Sequence, residues 1–131
     1  YKLRVKEKYM SKRQLNHFKK ILNSWKGQLE QEAEKTVNHM QKDSNSLADP
    51  NDRATQESEF GLELRTRDRE RKLIRKIQSS LIKIDDGTFG YCEETGEQIG
   101  LQRLEARPVA SLTLEAQERR EITEKQFNDN R

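Results

Sequence analysis

The chain has 131 residues, 31% of them hydrophobic and 37% charged. A compact globule of this length draws on about 45–50% apolar residues, so one thick core is excluded. The charges are mixed in sign and the apolar positions are periodic, which argues against disorder and leaves long helices that each bury a narrow stripe. The net charge of +3, from 26 basic and 23 acidic residues, permits an anionic partner. It is too even to make DNA phosphates the expected main source of affinity. One cysteine, Cys92, excludes an internal disulfide framework and a Cys-rich metal site. There is no run of about 18 apolar residues to span a membrane and no apolar h-region near the start, so the expected location is the cytoplasm.

Residues 1–11 form a basic arm with Lys2, Arg4, Lys6 and Lys8, ending at Ser11, a suitable helix N-cap. From Lys12 to about Ser44, Leu15, Phe18, Leu22, Trp25, Leu29, Ala33, Thr36 and Met40 recur at steps of three and four. That spacing predicts one apolar face of a helix. Gly27 weakens it by about 1 kcal/mol without ending it. The break Leu47-Ala48-Asp49-Pro50-Asn51-Asp52 follows, and Pro50 suits the first turn of a new helix.

The second helix is expected from about Pro50 to Ile84, with the stripe Phe60, Leu64, Arg67, Arg71, Ile74, Ile77, Leu81 and Ile84. Two stripes of similar length across a short connection pack antiparallel. The expected fold is therefore mainly α: a long two-helix coiled-coil hairpin over 12–84, with its tip at 47–54. At 1.5 Å per residue, arms of roughly 30 residues would reach about 45 Å.

Asp85-Asp86-Gly87 ends the second helix, because Gly there accepts the left-handed conformation. Phe89-Gly90-Tyr91-Cys92 and Gly96-Glu97-Gln98-Ile99 suggest a small hairpin or knuckle, within a small globular segment at 85–113. Residues 114–131 read as a C-terminal helix capped by Thr113, with Leu114, Ile122 and Phe127 available to dock on the small segment.

The spacing Cys92-x2-Thr95-x17-Thr113-x2-Ala116 is that of a four-cysteine zinc knuckle. Three of those positions lack a ligand side chain, since zinc takes thiolate, imidazole or carboxylate. The expectation from the donors is a degenerate knuckle with no zinc. Phe89, Tyr91, Ile99, Leu101, Leu104 and Leu112 are the candidates for an apolar core in its place.

Asp85-Asp86-Gly87-Thr88-Phe89-Gly90-Tyr91-Cys92, Gly96-Glu97-Gln98-Ile99-Gly100 and Arg103-Leu104-Glu105-Ala106-Arg107-Pro108 together resemble the zinc-finger segment of the DksA/TraR family. Asp49-Pro50-Asn51-Asp52-Arg53-Ala54 resembles the coiled-coil tip found in that family, as does Glu63 to Ile74 the hairpin arm behind it. The resemblance runs from about Met10 to Gln126. The loss of three cysteines is similar to the family's cysteine-poor, zinc-independent branch.

The resemblance implies a transcription factor that binds RNA polymerase at its secondary channel and rim. The tip residues Asp49, Asp52 and Ala54 would lie near the polymerase active centre. It also implies ppGpp as co-regulator, in a site shared with the polymerase and carried here by Arg69, Lys72, Leu73, Lys76 and Arg107. Gln117 stands where the family has a lysine. Open-complex stability would be the regulated quantity, with ribosomal RNA promoters repressed and some biosynthetic promoters activated.

Bland readings stand beside these. Asp49 is a good N-cap, and Asp52 in the first turn suits the helix dipole. Arg69, Lys72 and Lys76 could be a solvated face laced with Asp68 and Glu70. No nucleophile–base pair, P-loop or Gly-rich dinucleotide loop is present, so no enzyme is expected. A monomer with no membrane and no sequence-specific DNA partner is expected. The two other classes open to the sequence are a direct nucleic-acid binder using Arg65–Lys76 and a structural coiled-coil adaptor.

Overall fold

The computed structural model describes residues 1–3, 6–43 and 50–129, without the side chains of residues 40–43, 50–54 and 56. Four helices are described: α1 Lys12–Asp43, α2 Pro50–Asp86, α3 Leu101–Ala106 and α4 Leu114–Asp129. Among the described residues the β structure is one antiparallel bridge, Tyr91 with Gln98. The fold is mainly helical, with α1 and α2 forming the antiparallel hairpin. The chain divides into two units, residues 1–22 with 79–131 and residues 23–78, and both long helices contribute to each.

The ends of the long helices follow local chemistry. Ser11 caps α1: its hydroxyl accepts from the Gln14 N–H at 3.3 Å, and its carbonyl from the Leu15 N–H at 2.9 Å. Gln14 reaches back so that its Oε1 accepts from the Met10 N–H at 2.6 Å, a capping box displaced by one residue. At the other end α2 runs through Asp86, two residues past the expected Ile84, and stops at Gly87 with φ 82°. The Asp86 carboxylate then accepts from the Thr88 N–H and hydroxyl at 3.0 and 2.6 Å. Gly27 leaves α1 unbroken.

In the unit formed by residues 23–78, the α1 stripe continues through buried Leu29 and half-buried Trp25, Ala33 and Thr36. The α2 side differs from expectation. Leu64 is 46% exposed and Arg71 is exposed, while Glu63 and Glu70 turn inward between half-buried Phe60, Arg67 and Ile74. The cause is register: steps of 60, 63, 67, 70, 74 and 77 keep to the 3.5-residue seam of paired helices, which 64 and 71 leave. Glu63 Oε1 is held by His39 Nδ1 of the opposing arm at 2.6 Å. Glu63 Oε2 and Glu70 Oε2 are enclosed without a hydrogen bond.

In the other unit, Phe18, Leu22, Phe89, Leu104, Leu112 and Ala116 are at most 2% exposed. The Phe18 and Phe89 rings lie 5.6 Å apart, within the range of favourable aromatic pairs. Two of the six candidate core residues are corrected: Tyr91 is 37% exposed and Leu101 only half-buried. Tyr91 sits on the antiparallel bridge one position before buried Cys92, and neighbouring residues of extended chain face opposite ways. The docking expectation for α4 is also corrected. Leu114, Ile122 and Phe127 are 53%, 58% and 62% exposed, while Ala116 is fully buried. At 100° per residue those three fall on different faces, so the helix is anchored by the small residue at its base.

Candidate functional site

The knuckle is built by short turns. The Cys92 N–H donates to Glu97 O at 2.8 Å, Gly96 N–H to Cys92 O at 2.9 Å, and Ile99 N–H to Gly90 O at 2.8 Å. Gly90, Gly96 and Gly100 take φ of 91°, 74° and 102°, a region that suits glycine. The Glu93 N–H donates to Ser111 O at 2.9 Å, tying the knuckle to the approach of α4. Glu93 also meets Lys83 of α2. Glu94 takes both Nε and Nη2 of Arg120 at 3.1 and 2.7 Å.

The four spaced positions converge. Thr113 Oγ1 donates to Cys92 Sγ at 3.8 Å and accepts the Ala116 N–H at 3.2 Å, which makes it the cap of α4. Thr95 Oγ1 accepts the Glu97 N–H at 3.2 Å and hydrogen-bonds the thiol. Burial raises the Cys92 pKa. The Thr95 hydroxyl and the N–H groups of Thr113, Thr95 and Glu94 oppose it and bring the thiol down to about 6. The arrangement is a nest of donors around one sulfur.

An unanticipated contact closes the knuckle from outside. The Tyr9 hydroxyl donates to Gly90 O at 2.7 Å and accepts the Gly100 N–H at 2.9 Å. It joins the two loops that flank the Tyr91–Gln98 bridge, and its ring meets Tyr91 edge-on at 5.6 Å. Burial raises the Tyr9 pKa despite the Gly100 hydrogen bond. Met10 covers Gly90 so closely that a Cβ there would meet its Cγ and Sδ at 2.9 Å. Nothing in the sequence signals this, because the partners lie 81 and 91 residues away.

The other candidate residues divide between the units. Arg69, Lys72 and Lys76 are exposed on α2 and Leu73 is half-buried beside them, all in the unit of residues 23–78. Arg107 lies in the other unit, where its N–H donates to Arg103 O at 2.8 Å and closes α3. It lines a groove of about 660 Å³ with Arg103, Gln98, Gln102 and Leu114. Gln117 donates to Glu121 at 3.0 Å. Asp49 lies outside the described residues. Asp52 and Ala54 are in the first turns of α2, with side chains outside the description.

A helical hairpin joined to a glycine-turned knuckle defines the class, and comparison with known proteins supplies the family. Residues 14–84 match "DnaK suppressor protein DksA, N-terminal domain", and residues 87–121 match "Prokaryotic dksA/traR C4-type zinc finger". The chain is 53% identical over 127 residues to the RNA polymerase-binding transcription factor DksA of Salmonella typhimurium, covering 97% of this chain and 84% of that protein. It is also 53% identical over 126 residues to the factor of the same name from Haemophilus influenzae, covering 96% and 87%. Among solved structures it is similar to transcription factor DksA2 from Pseudomonas aeruginosa, at 35% identity and a TM-score of 0.84, covering 89% and 90% of the two chains. The chain belongs to the DksA/TraR family.

The family match corrects the expectation that the knuckle takes no zinc. Residues 87–121 belong to a C4-type zinc-finger family, and that points to zinc binding. The residues present supply one thiolate, Cys92, with Thr95, Thr113 and Ala116 at the other spaced positions. They do not fit a cage of four thiolates, and among the described residues no group of three or more His, Cys, Asp or Glu could hold a metal ion.

Proposed function

We propose that this chain is an RNA polymerase-binding regulator of transcription initiation that works through its hairpin tip. The observation that carries the reading is 53% identity over 97% of the chain to proteins named as RNA polymerase-binding transcription factors. The hairpin enters the secondary channel and brings Asp49, Asp52 and Ala54 near the active centre. The knuckle and α4 bear on the rim. Promoter open complexes are destabilised, with ribosomal RNA promoters repressed and some biosynthetic promoters activated.

In this reading ppGpp binds between the chain and the polymerase, using Arg69, Lys72, Leu73, Lys76 and Arg107. Exposed cations three and four residues apart on a helix suit phosphates by charge and, for arginine, by fork geometry. The protein acts as a regulator in the cytoplasm, as a monomer and without catalysis. No described helix is long and apolar enough to cross a membrane.

The test pairs competition binding to core polymerase with in vitro transcription from a ribosomal RNA promoter. Asn caps a helix about as well as Asp, and an exposed dipole contact contributes about 0.3–1 kcal/mol. Asp52→Asn is therefore expected to keep polymerase affinity and lose most regulation. Full regulation by Asp52→Asn would make the tip a scaffold and move the mechanism elsewhere on the hairpin.

A further inference from the structure

Between Phe60 and Ile74 two courses compete for the inner face of α2. In the unit of residues 23–78, Phe60, Glu63, Arg67, Glu70 and Ile74 are half-buried, while Leu64 and Arg71 are exposed. A helix coiled on a partner repeats its inner face every 3.5 residues, and that repeat runs through Glu63 and Glu70. A straight helix drifts from it by about 20° per heptad. Over the two heptads from Phe60 to Ile74 the straight course would turn α2 by about 40° and bring Leu64 and Arg71 inward instead.

Side-chain chemistry in this stretch favours the straight course. Leu64 is 46% exposed and would gain by burial. Arg71 could enter by its methylene stem and keep its head in water. Glu63 Oε2 and Glu70 Oε2 are enclosed without a hydrogen bond, and turning outward would return both carboxylates to water. The α1 stripe over the same stretch offers Ala33 and Thr36, small and half-buried, so apolar packing opposes the turn weakly.

The contact that opposes it comes from the other arm. His39 Nδ1 hydrogen-bonds Glu63 Oε1 at 2.6 Å, between residues 24 apart in sequence. Fully buried Ile77 fixes α2 at the base of the stretch, two heptads from Glu63. Because α2 is one unbroken helix from Pro50 to Asp86, a turn made at Glu63 is carried into the first turns, where Asp52 stands. At a helix radius of about 5 Å, a turn of about 40° displaces the helix surface by roughly 3 Å.

We propose that His39 and Glu63 are positioning residues for the tip: their cross-arm contact selects the coiled course of α2 and so sets the rotation of its first turns. This role rests on the tip-directed action proposed above. The contact acts by geometry, so an apolar side chain at position 63 with a polar one at position 64 should replace it.

Two measurements on the full chain separate the setting of the helix from its use. The first needs no polymerase. Glu70→Cys and Arg71→Cys are alkylated with iodoacetamide, and peptide mass spectrometry resolves each from buried Cys92. Position 70 should react several-fold more slowly than position 71. Adding His39→Ala should raise the rate at 70 and lower it at 71, with helicity by circular dichroism unchanged. The second is in vitro transcription from a ribosomal RNA promoter beside competition binding to core polymerase. His39→Ala should lose regulation several-fold and keep polymerase affinity. Glu63→Leu with Leu64→Gln should regulate as wild type, and adding His39→Ala to that pair should change nothing. The proposal is overturned if His39→Ala leaves both alkylation rates unchanged or regulates fully. It is also overturned if Glu63→Leu with Leu64→Gln loses regulation as His39→Ala does, since charge at position 63 would then be what matters. A wild-type chain that fails to regulate overturns the tip reading and the positioning role with it, while the alkylation rates still decide whether His39 sets α2.

Discussion

In the unit of residues 1–22 and 79–131, Phe18, Leu22, Phe89, Leu104, Leu112 and Ala116 are at most 2% exposed. In the unit of residues 23–78, the buried hydrophobics among the described residues are Leu29 and Ile77, at 8% and 0%. Leu62 and Leu64 stand 60% and 46% exposed there, while Glu63 and Glu70 turn inward. The first unit is held by apolar burial and knuckle hydrogen bonds. The second is a helix pair with a thin, partly charged seam. A thin seam leaves most of each described helix surface exposed.

The sharpest way to break this contrast is to remove one apolar side chain from each unit. Phe18→Ala should cost about 3–5 kcal/mol, the range for an aromatic deleted from a close-packed core. Leu64→Ala should stay within about 0.5 kcal/mol, as for an exposed position. Chemical denaturation followed by circular dichroism measures both. Equal costs would mean that Leu64, outside the seam, is packed as closely as Phe18 in the knuckle core.

A pH series probes the polar side of the same unit. The Cys92 pKa is lowered from 9.0 to about 6. A depressed acid stabilises the fold above its unfolded pKa, and that stabilisation is lost as pH falls through the folded value. Melting temperature should therefore fall as pH is lowered from 9 to 6, and Cys92→Ala should flatten that part of the profile. With about 1.36 kcal/mol for each pH unit between the two values, the ceiling is about 4 kcal/mol. An unchanged slope in Cys92→Ala would show that the donor nest does not act on the sulfur.

A smaller effect than in the Phe18 and Cys92 variants is expected from Tyr9→Phe, which keeps the ring against Tyr91 and removes the hydroxyl that joins Gly90 to Gly100. Leaving two backbone groups without that partner should cost about 1–3 kcal/mol. Amide exchange should quicken at Gly100 and at the Cys92 to Glu97 turn. Exchange of the α2 amides between Phe60 and Ile74 should not change. Exchange unchanged at Gly100 would mean that the knuckle holds without the arm.

Much of this molecule was legible in the order of its residues, for reasons that are local. Periodic Phe18, Leu22 and Leu29, the stop at Gly87 and the caps at Ser11 and Thr113 depend on neighbours within a few positions, where helix geometry alone sets which groups meet. The convergence of Cys92, Thr95, Thr113 and Ala116 was legible as a spacing. What only the tertiary structure decided were contacts between residues distant in the chain. The seam chose Glu63 over Leu64 because two helices must share one register. Ala116, rather than Leu114 or Ile122, went inside because Thr113, held at Cys92, caps α4 and sets which face of its first turn meets the knuckle. Tyr9 found Gly90 and Gly100 because folding brought an N-terminal arm across loops more than 80 residues away, a proximity that no local periodicity encodes.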